Sequence, residues 1–269
     1  MNKTALLIPH YNNPEGLTKS LLSIHRDEQL DVFVIDDGSS KDKIDEKGAK
    51  DSFQAQGQIK FKYLEKNQGI ENALNNGLDW ILGEKIYEYI ARLDCGDICL
   101  DKRFSIQEDF LNKNPDIMLV GANIICVGTD GSFLYNLYYP EKTENIRKKM
   151  YLNSMFSHPC SMYRVKVVEE IGKYPTNHHA AEDYAYFFKI VRKYPTYNIQ
   201  QFLLKYEINP QGISQTKRRF QVKGRIKIIL ENFYFGFWPI YGLLRNIILY
   251  IVPNKLLIRI KKMKNDQLF

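Results

Sequence analysis

The chain has 269 residues, 44% of them apolar and 26% charged, a balance that excludes a disordered protein and leaves room for one large domain with a sizeable core. Its net charge of +7 is local, because residues 217–269 carry twelve Lys/Arg against only Glu231 and Asp266. The first 216 residues are therefore net acidic, and nucleic acid is not their expected partner.

The first apolar run, Thr4-Ala5-Leu6-Leu7-Ile8, reads as a buried strand that stops at Pro9-His10-Tyr11-Asn12-Asn13. Met1-Asn2-Lys3 leads straight into it, and the run is too short for a secretory segment, which predicts a cytoplasmic chain. Leu17, Leu21, Leu22 and Ile24 mark an amphipathic helix. A second strand, Val32 to Ile35, ends abruptly at Asp36-Asp37-Gly38-Ser39-Ser40. Ile59 to Leu64 is a third, followed by Asn67-Gln68-Gly69 and a helix with Ile70, Ala73, Leu74, Gly77, Leu78 and Ile81 on one face. Tyr87 to Leu93 ends at Asp94-Cys95-Gly96-Asp97. Strands alternating with helices imply parallel pairing, and parallel strands deliver their last residues to one edge, where α/β folds bind ligands. Three strand ends in order carry carboxylates or amides, which predicts a polar-ligand cleft.

Further on, residues 101–113 read as a helix, and Ile117 to Val127 as a strand turning at Asp130-Gly131 into Phe133–Tyr139. Helices are expected near 143–152 and 182–193, and a strand near Phe202–Tyr206. Ser154–Ser157 reads as disordered before His158-Pro159. Cys95, Cys99, Cys126 and Cys160 lack zinc-type spacing and are expected to be reduced thiols. A basic stretch begins at Lys217, and Phe233 to Val252 is apolar or aromatic apart from Arg245 and Asn246, with Pro239 inside it. Such a tail spans a membrane, lies on an anionic one, or packs on the domain or on a second copy of the chain as a homodimer. The interruptions and flanking Lys/Arg favour the surface-lying form.

In their order and spacing, Pro9-x-Tyr11-Asn12, Val34-Ile35-Asp36-Asp37-Gly38-Ser39, Asn67-x-Gly69, Arg92-Leu93-Asp94-x-x-Asp97 and Ala181-Glu182-Asp183-Tyr184 resemble family 2 glycosyltransferases over residues 3 to 216. These are inverting, nucleotide-sugar-dependent enzymes. The resemblance implies an α/β GT-A fold with a mixed, mostly parallel central sheet flanked by helices. The domain would be residues 1–216, with residues 217–269 as a helical, membrane-associating tail. It also implies a donor, most often a UDP-sugar with dTDP or GDP open, and a glycan or lipid-linked acceptor. The work would be capsule, O-antigen or exopolysaccharide assembly on the inner face of the cell membrane.

Each matched residue type suits that chemistry. A strand-end carboxylate accepts the N–H of a base, the role implied for Asp37 with Asp36 beside it. Pro9, Tyr11 and Asn12 would line base and ribose, with Asn67, Gly69 and Arg92 completing the nucleotide site. A diphosphate beside carboxylates needs an intervening cation, and hard oxygen ligands suit Mn²⁺ or Mg²⁺. The resemblance places the metal at Asp94 and Asp97, although Gly96 stands where a strict Asp-x-Asp has its second acid. Asp183, with Glu182 as fallback, would be the general base, kept acidic by its helix N-terminus. His158 and His179 are candidates for the acceptor mouth. A nucleotide-sugar-binding protein without turnover is the alternative, prompted by Gly96 and by Asn209 where relatives often carry His. A dinucleotide-binding oxidoreductase is excluded, since no Gly-x-Gly-x-x-Gly follows the first strand.

Overall fold

A computed structural model describes residues 2–209 and 218–252. The expected start of the tail at Lys217, the boundary at residue 216 and the basic close from Lys255 to Lys262 lie outside the described residues. In chain order the elements are β1 (Thr4–His10), α1 (Pro14–Leu22), β2 (Leu30–Asp36), α2 (Glu46–Ser52), β3 (Ile59–Tyr63) and α3 (Ile70–Glu84). Then come β4 (Tyr89–Arg92), β5 (Ile98–Cys99), α4 (Arg103–Lys113), β6 (Leu119–Gly128), β7 (Phe133–Leu137) and α5 (Thr143–Lys149). The rest are β8 (Met162–Arg164), α6 (Val165–Ile171), α7 (Glu182–Lys193), β9 (Thr196–Ile208), α8 (Arg218–Glu231) and α9 (Phe237–Ile251).

Among the described residues one sheet runs in the order β3-β2-β1-β4-β8-β6-β9-β5, with β7 paired to β6. The first four strands are parallel, so Asp36, His10 and Arg92 reach the same edge. Beyond β4 the sheet becomes mixed: β8 runs antiparallel between β4 and β6, and β6 pairs β9 in parallel. Alternation along the strands divides the core. Ala5, Leu7, Phe33 and Ile35 face α3, α6 and α7, while Leu6, Ile8, Val32 and Val34 face α1 and α4. Helix α3 lies so near the sheet that a Cβ at Gly77 would come within 2.2 Å of Leu7 Cδ1.

Three sequence expectations are corrected. The strand expected at Phe202–Tyr206 is the thirteen-residue β9, whose first half is carried by pairing with β6 rather than by alternation. Ser154–Ser157 is ordered, because Phe156 and Ser157 are buried there and Phe156 packs against Phe187. The tail is less detached than expected. Val222, Ile228 and Ile229 of α8 are buried, the last two in the same core as Tyr184 and Phe188, and Tyr151 Oη donates to Asn232 O at 2.8 Å. Helix α9 presents Pro239, Gly242 and Asn246 inward, and a Cβ at Gly242 would meet Tyr151 O at 2.2 Å. No helix among the described residues is long and apolar enough to cross a membrane.

Ile229→Ala should accordingly cost about 2–4 kcal/mol in urea unfolding, as for other fully buried aliphatic side chains. Ile248→Ala, on the outer face of α9, should stay within about 0.5 kcal/mol. Equal small losses at both positions would remove α8 from the core.

Candidate active site

The cleft lies where β1, β2 and β4 end. Asp36, the last residue of β2, turns back on the fold: its Oδ1 accepts the Ser39 N–H at 2.7 Å, and its Oδ2 lies 2.9 Å from His10 Nδ1. His10 Nε2 accepts the Asn13 N–H at 3.2 Å, so Nδ1 carries the proton and donates to Asp36. Burial lowers the His10 pKa, and the Asp36 hydrogen bond opposes it. Asp37 is equally engaged. Its two oxygens accept the N–H groups of Gln68 at 2.8 Å and Gly69 at 2.9 Å, fixing the loop that starts α3. Gly38 (φ +70°) and Gly69 (φ +93°) supply the left-handed turns this requires, and a Cβ on Gly38 would clash with the Lys66–Asn67 backbone at 2.4 Å. Tyr11, 48% exposed, and Asn67 remain open to solvent. Asn12 is used to shape the loop, receiving N–H bonds from Lys41 and Asp42. The Pro9 carbonyl lies 3.4 Å from the Cys95 thiol, in reach of its hydrogen bond.

The third strand end departs most from expectation. Arg92 is fully buried, and its guanidinium donates to Leu7 O, to His158 Nε2 and, at 2.7 Å, to Asp94 Oδ1. Its ion pair orients Asp94, whose side chain is partly open. Asp97 also turns inward. Its Oδ1 accepts the Glu207 N–H at 2.8 Å, while its buried Oδ2 accepts no hydrogen bond among the described residues. Burial, then Asp94, push its pKa well above the usual carboxylate range. Ser20 closes the turn, its Oγ accepting the Gly96 N–H at 3.0 Å and lying 2.8 Å from Asp97 O. Of the two carboxylates that sequence assigned to a metal, Asp97 is therefore buried, with one oxygen committed to the Glu207 backbone, while Asp94 is partly open. Among the described residues no group of three or more His, Cys, Asp or Glu side chains forms a metal cage. Asp94 fits the sparser arrangement in which a hard cation rests on one or two carboxylates and the substrate's phosphates.

Facing this edge, α7 begins at Glu182 and Asp183 after Ala180, which has φ +61°. Asp183 Oδ1 accepts the Tyr184 N–H at 2.7 Å. The helix N-terminus was expected to keep the pair acidic, but desolvation wins. Burial, then Asp183, push Glu182 up to about 8, and burial raises Asp183 against the Tyr184 hydrogen bond. The Asp94 carboxylate is near enough to act on both, which brings the acid pair and the Asp94 loop to one cleft.

Of the two histidines expected at the acceptor mouth, His158 is buried, accepting from Arg92 and from Tyr174 at 2.9 Å. Burial and Arg92 hold it well below the ordinary histidine pKa, and it belongs to the core. His179 is exposed and pairs with Glu71 at 2.5 Å, clasping the start of α3 to the loop before α7. Sequence reading missed His10, Ser20 and Arg225. The last lies on α8, where Gly224 packs against Ala181 so closely that a Cβ would sit 2.9 Å from Ala181 Cβ. A glycine among helix formers was the one available signal.

Parallel strands ending in acids, opposite an acid pair at a helix start, are the GT-A architecture of nucleotide-sugar transferases. The family described as Glycosyl transferase family 2 matches residues 5–172, and the chain belongs to that family. It is similar to the amylovoran biosynthesis glycosyltransferase AmsE of Erwinia amylovora, with 26% identity over 90% of this chain and 91% of the other. It is 27% identical to the UDP-Gal:alpha-D-GlcNAc-diphosphoundecaprenol beta-1,3-galactosyltransferase of Escherichia coli, over 83% and 79% of the two chains. Among solved structures, the mannosyltransferase PcManGT of Pyrobaculum calidifontis in complex with GDP-Man and Mn²⁺ superposes with a TM-score of 0.61. The match covers 99% of this chain and 81% of the other at 12% identity, a likeness of fold. The chain is a glycosyltransferase, with relatives in bacterial polysaccharide biosynthesis.

The raised Glu182 pKa has a sign that stability measurements can read. Between about 4.5 and about 8 the unfolded chain releases this proton while the folded chain keeps it, so rising pH disfavours the fold across that window. Glu182→Gln should therefore match wild type near pH 4.5. It should gain stability with pH up to a plateau above about 8, on the order of a few kcal/mol. A difference independent of pH would mean that Glu182 titrates as an ordinary carboxyl.

Proposed function

We propose that the protein is an inverting transferase that moves one sugar from a UDP-sugar to a lipid-linked glycan in bacterial surface polysaccharide assembly, working on the inner face of the cell membrane. The observation that carries this reading is the Glu182–Asp183 pair set opposite Asp94 across the strand-end cleft. With its proton retained to about pH 8, Glu182 is neutral at physiological pH. Asp183 is then the base, and its raised pKa strengthens it. It takes the proton of the acceptor hydroxyl as that oxygen attacks the anomeric carbon from the face opposite the diphosphate. The C–O bond to the diphosphate breaks, and the linkage is inverted. The Asp37 turn, Tyr11 and Asn67 surround the nucleoside. Asp94, together with the donor's phosphates, would hold Mn²⁺ or Mg²⁺, which would supply positive charge to the leaving group. The UDP and lipid assignments draw support from the galactosyltransferase relative, and the cation from the mannosyltransferase fold neighbour.

Asp183→Asn should leave UDP binding, read by calorimetry, close to wild type and lower sugar transfer ~10²–10⁴-fold. A fully active variant would move the base elsewhere.

The membrane part rests on the outer face of α9. Phe237, Tyr241, Leu244, Ile248 and Ile251 recur at helical spacing and are all exposed, with Phe235 beside them at 94%. An apolar face turned outward, flanked by basic residues, suits a helix lying in the headgroup region. Full-length protein should float with vesicles containing anionic lipid, weakly at high salt, and Phe237→Ser with Ile248→Ser should release it. Indifference to vesicles at low salt would rule the anchor out.

A further inference from the structure

Helices α8 and α9 bring three half-buried arginines to the seam between the tail and the catalytic helix. Arg225 Nη1 donates to Asn153 Oδ1 at 3.1 Å, Arg245 Nη1 to Leu152 O at 2.8 Å, and Arg218 Nη2 to Leu249 O at 2.6 Å. Arg225 and Arg245 thus reach consecutive residues of one turn. Arg218 and Arg225, seven positions apart, lie on the same face of α8. Every partner is a neutral oxygen. Among the described residues, none of the three arginines has a carboxylate within salt-bridge distance. Beside them His178, in the loop before α7, does find a carboxylate, Glu231 of α8, at 3.3 Å.

Grouped, part-buried cations without a counter-charge are unfavourable, since desolvation and mutual repulsion add. Burial lowers the Arg225 pKa, Arg245 and Arg218 add to this, and Tyr184 and the Asp183 carboxylate oppose it. The bonds above use one of the five N–H donors of Arg225 and one of those of Arg245, leaving planar forks available. Such forks match the paired oxygens of a phosphate or a carboxylate, and a cluster of them suits the higher charge of a phosphate. The position narrows the source. On one side Arg225 is within electrostatic reach of Asp183, and on the other α9 turns Leu244, Ile248 and Ile251 outward.

We infer that Arg225 and Arg245, supported by Arg218, form the acceptor phosphate site, which grips the phosphate or diphosphate joining the acceptor glycan to its lipid. This deepens the proposed transfer to a lipid-linked acceptor and rests on it. The proximity of Arg225 to Asp183 also sets a length. An acceptor whose hydroxyl meets Asp183 while its phosphate meets Arg225 carries only one or a few sugars. The reaction that supplies it is therefore one that starts a glycan on a lipid phosphate, and not one that extends a long polymer.

Binding can be read without turnover. Full-length protein, its donor site saturated with UDP, is titrated calorimetrically with decyl diphosphate, inorganic diphosphate or decyl maltoside below micelle-forming concentrations. Decyl diphosphate should bind wild type at least tenfold more tightly than either of the others. Arg225→Gln with Arg245→Gln should weaken it at least tenfold, and Arg225→Lys, which keeps the charge, should weaken it less than Arg225→Gln. Undiminished binding in the double variant overturns the site, as does no binding to wild type. Equal affinity for inorganic diphosphate overturns its lipid assignment, and equal affinity for decyl maltoside overturns its phosphate chemistry. Should the double variant lose its fold, the Lys-to-Gln comparison at Arg225 alone decides. Since no sugar is transferred, a failure here is distinct from a failure of Asp183 as the base.

Discussion

A guanidinium sealed inside the protein organises this active site. Arg92 has no contact with solvent, so each of its donors has to find an acceptor within the fold. It finds Leu7 O in β1, His158 in the turn before β8, and Asp94 at the mouth of the cleft. Asp94 is thereby held in one orientation at the strand end, where an unpaired aspartate would average over several rotamers. His158 has to remain neutral to accept from Arg92, and its burial ensures that it does. The stack of His158, Tyr174, Tyr186 and Phe187 around it is the apolar side of the same constraint. One buried cation thus couples the core packed against α3, α6 and α7 to the placement of a single cleft carboxylate.

The parallel half of the sheet was legible because its signals are local. Apolar runs that stop at Asp36-Asp37 or at Asp94 need no knowledge of distant partners, and α7 begins and ends at the residues expected from its periodicity. The roles of individual acids were less legible. Asp36, Asp37, Asp94 and Asp97 look alike in sequence, yet Asp36 answers to His10, Asp37 to two backbone N–H groups, and Asp97 to the Glu207 backbone 110 positions away. Which carboxylate faces the ligand is decided by those long-range donors, and residue type does not encode them. Short elements were hidden for a related reason. Helix α2 buries only Ala49, leaving no apolar stripe to detect.

The tail inverts the usual arrangement of a surface helix pair. Its apolar residues divide between a core face on α8 and an outward face on α9, while its arginines gather at the seam between them. Hydrophobic content alone suggested an appendage. The packing of Gly224 on Ala181 and of Gly242 on Tyr151 makes it a wall of the catalytic half. Whatever contacts the outer face of α9 is thereby connected, through packing on Tyr151 and through α8 on Ala181, to the start of α7.

The double engagement of Asp37 limits how this scaffold diversifies. Both carboxylate oxygens hold the entry to α3, so a substitution there loosens the sheet edge before it alters any preference for a base. Under the proposed nucleotide role, drift toward a different base would fall to exposed side chains such as Tyr11 and Asn67. Lineages descended from such a chain would be expected to keep the turn after β2 almost unaltered while the rim around it varies, so that relatedness is easily read from the turn and donor choice is not.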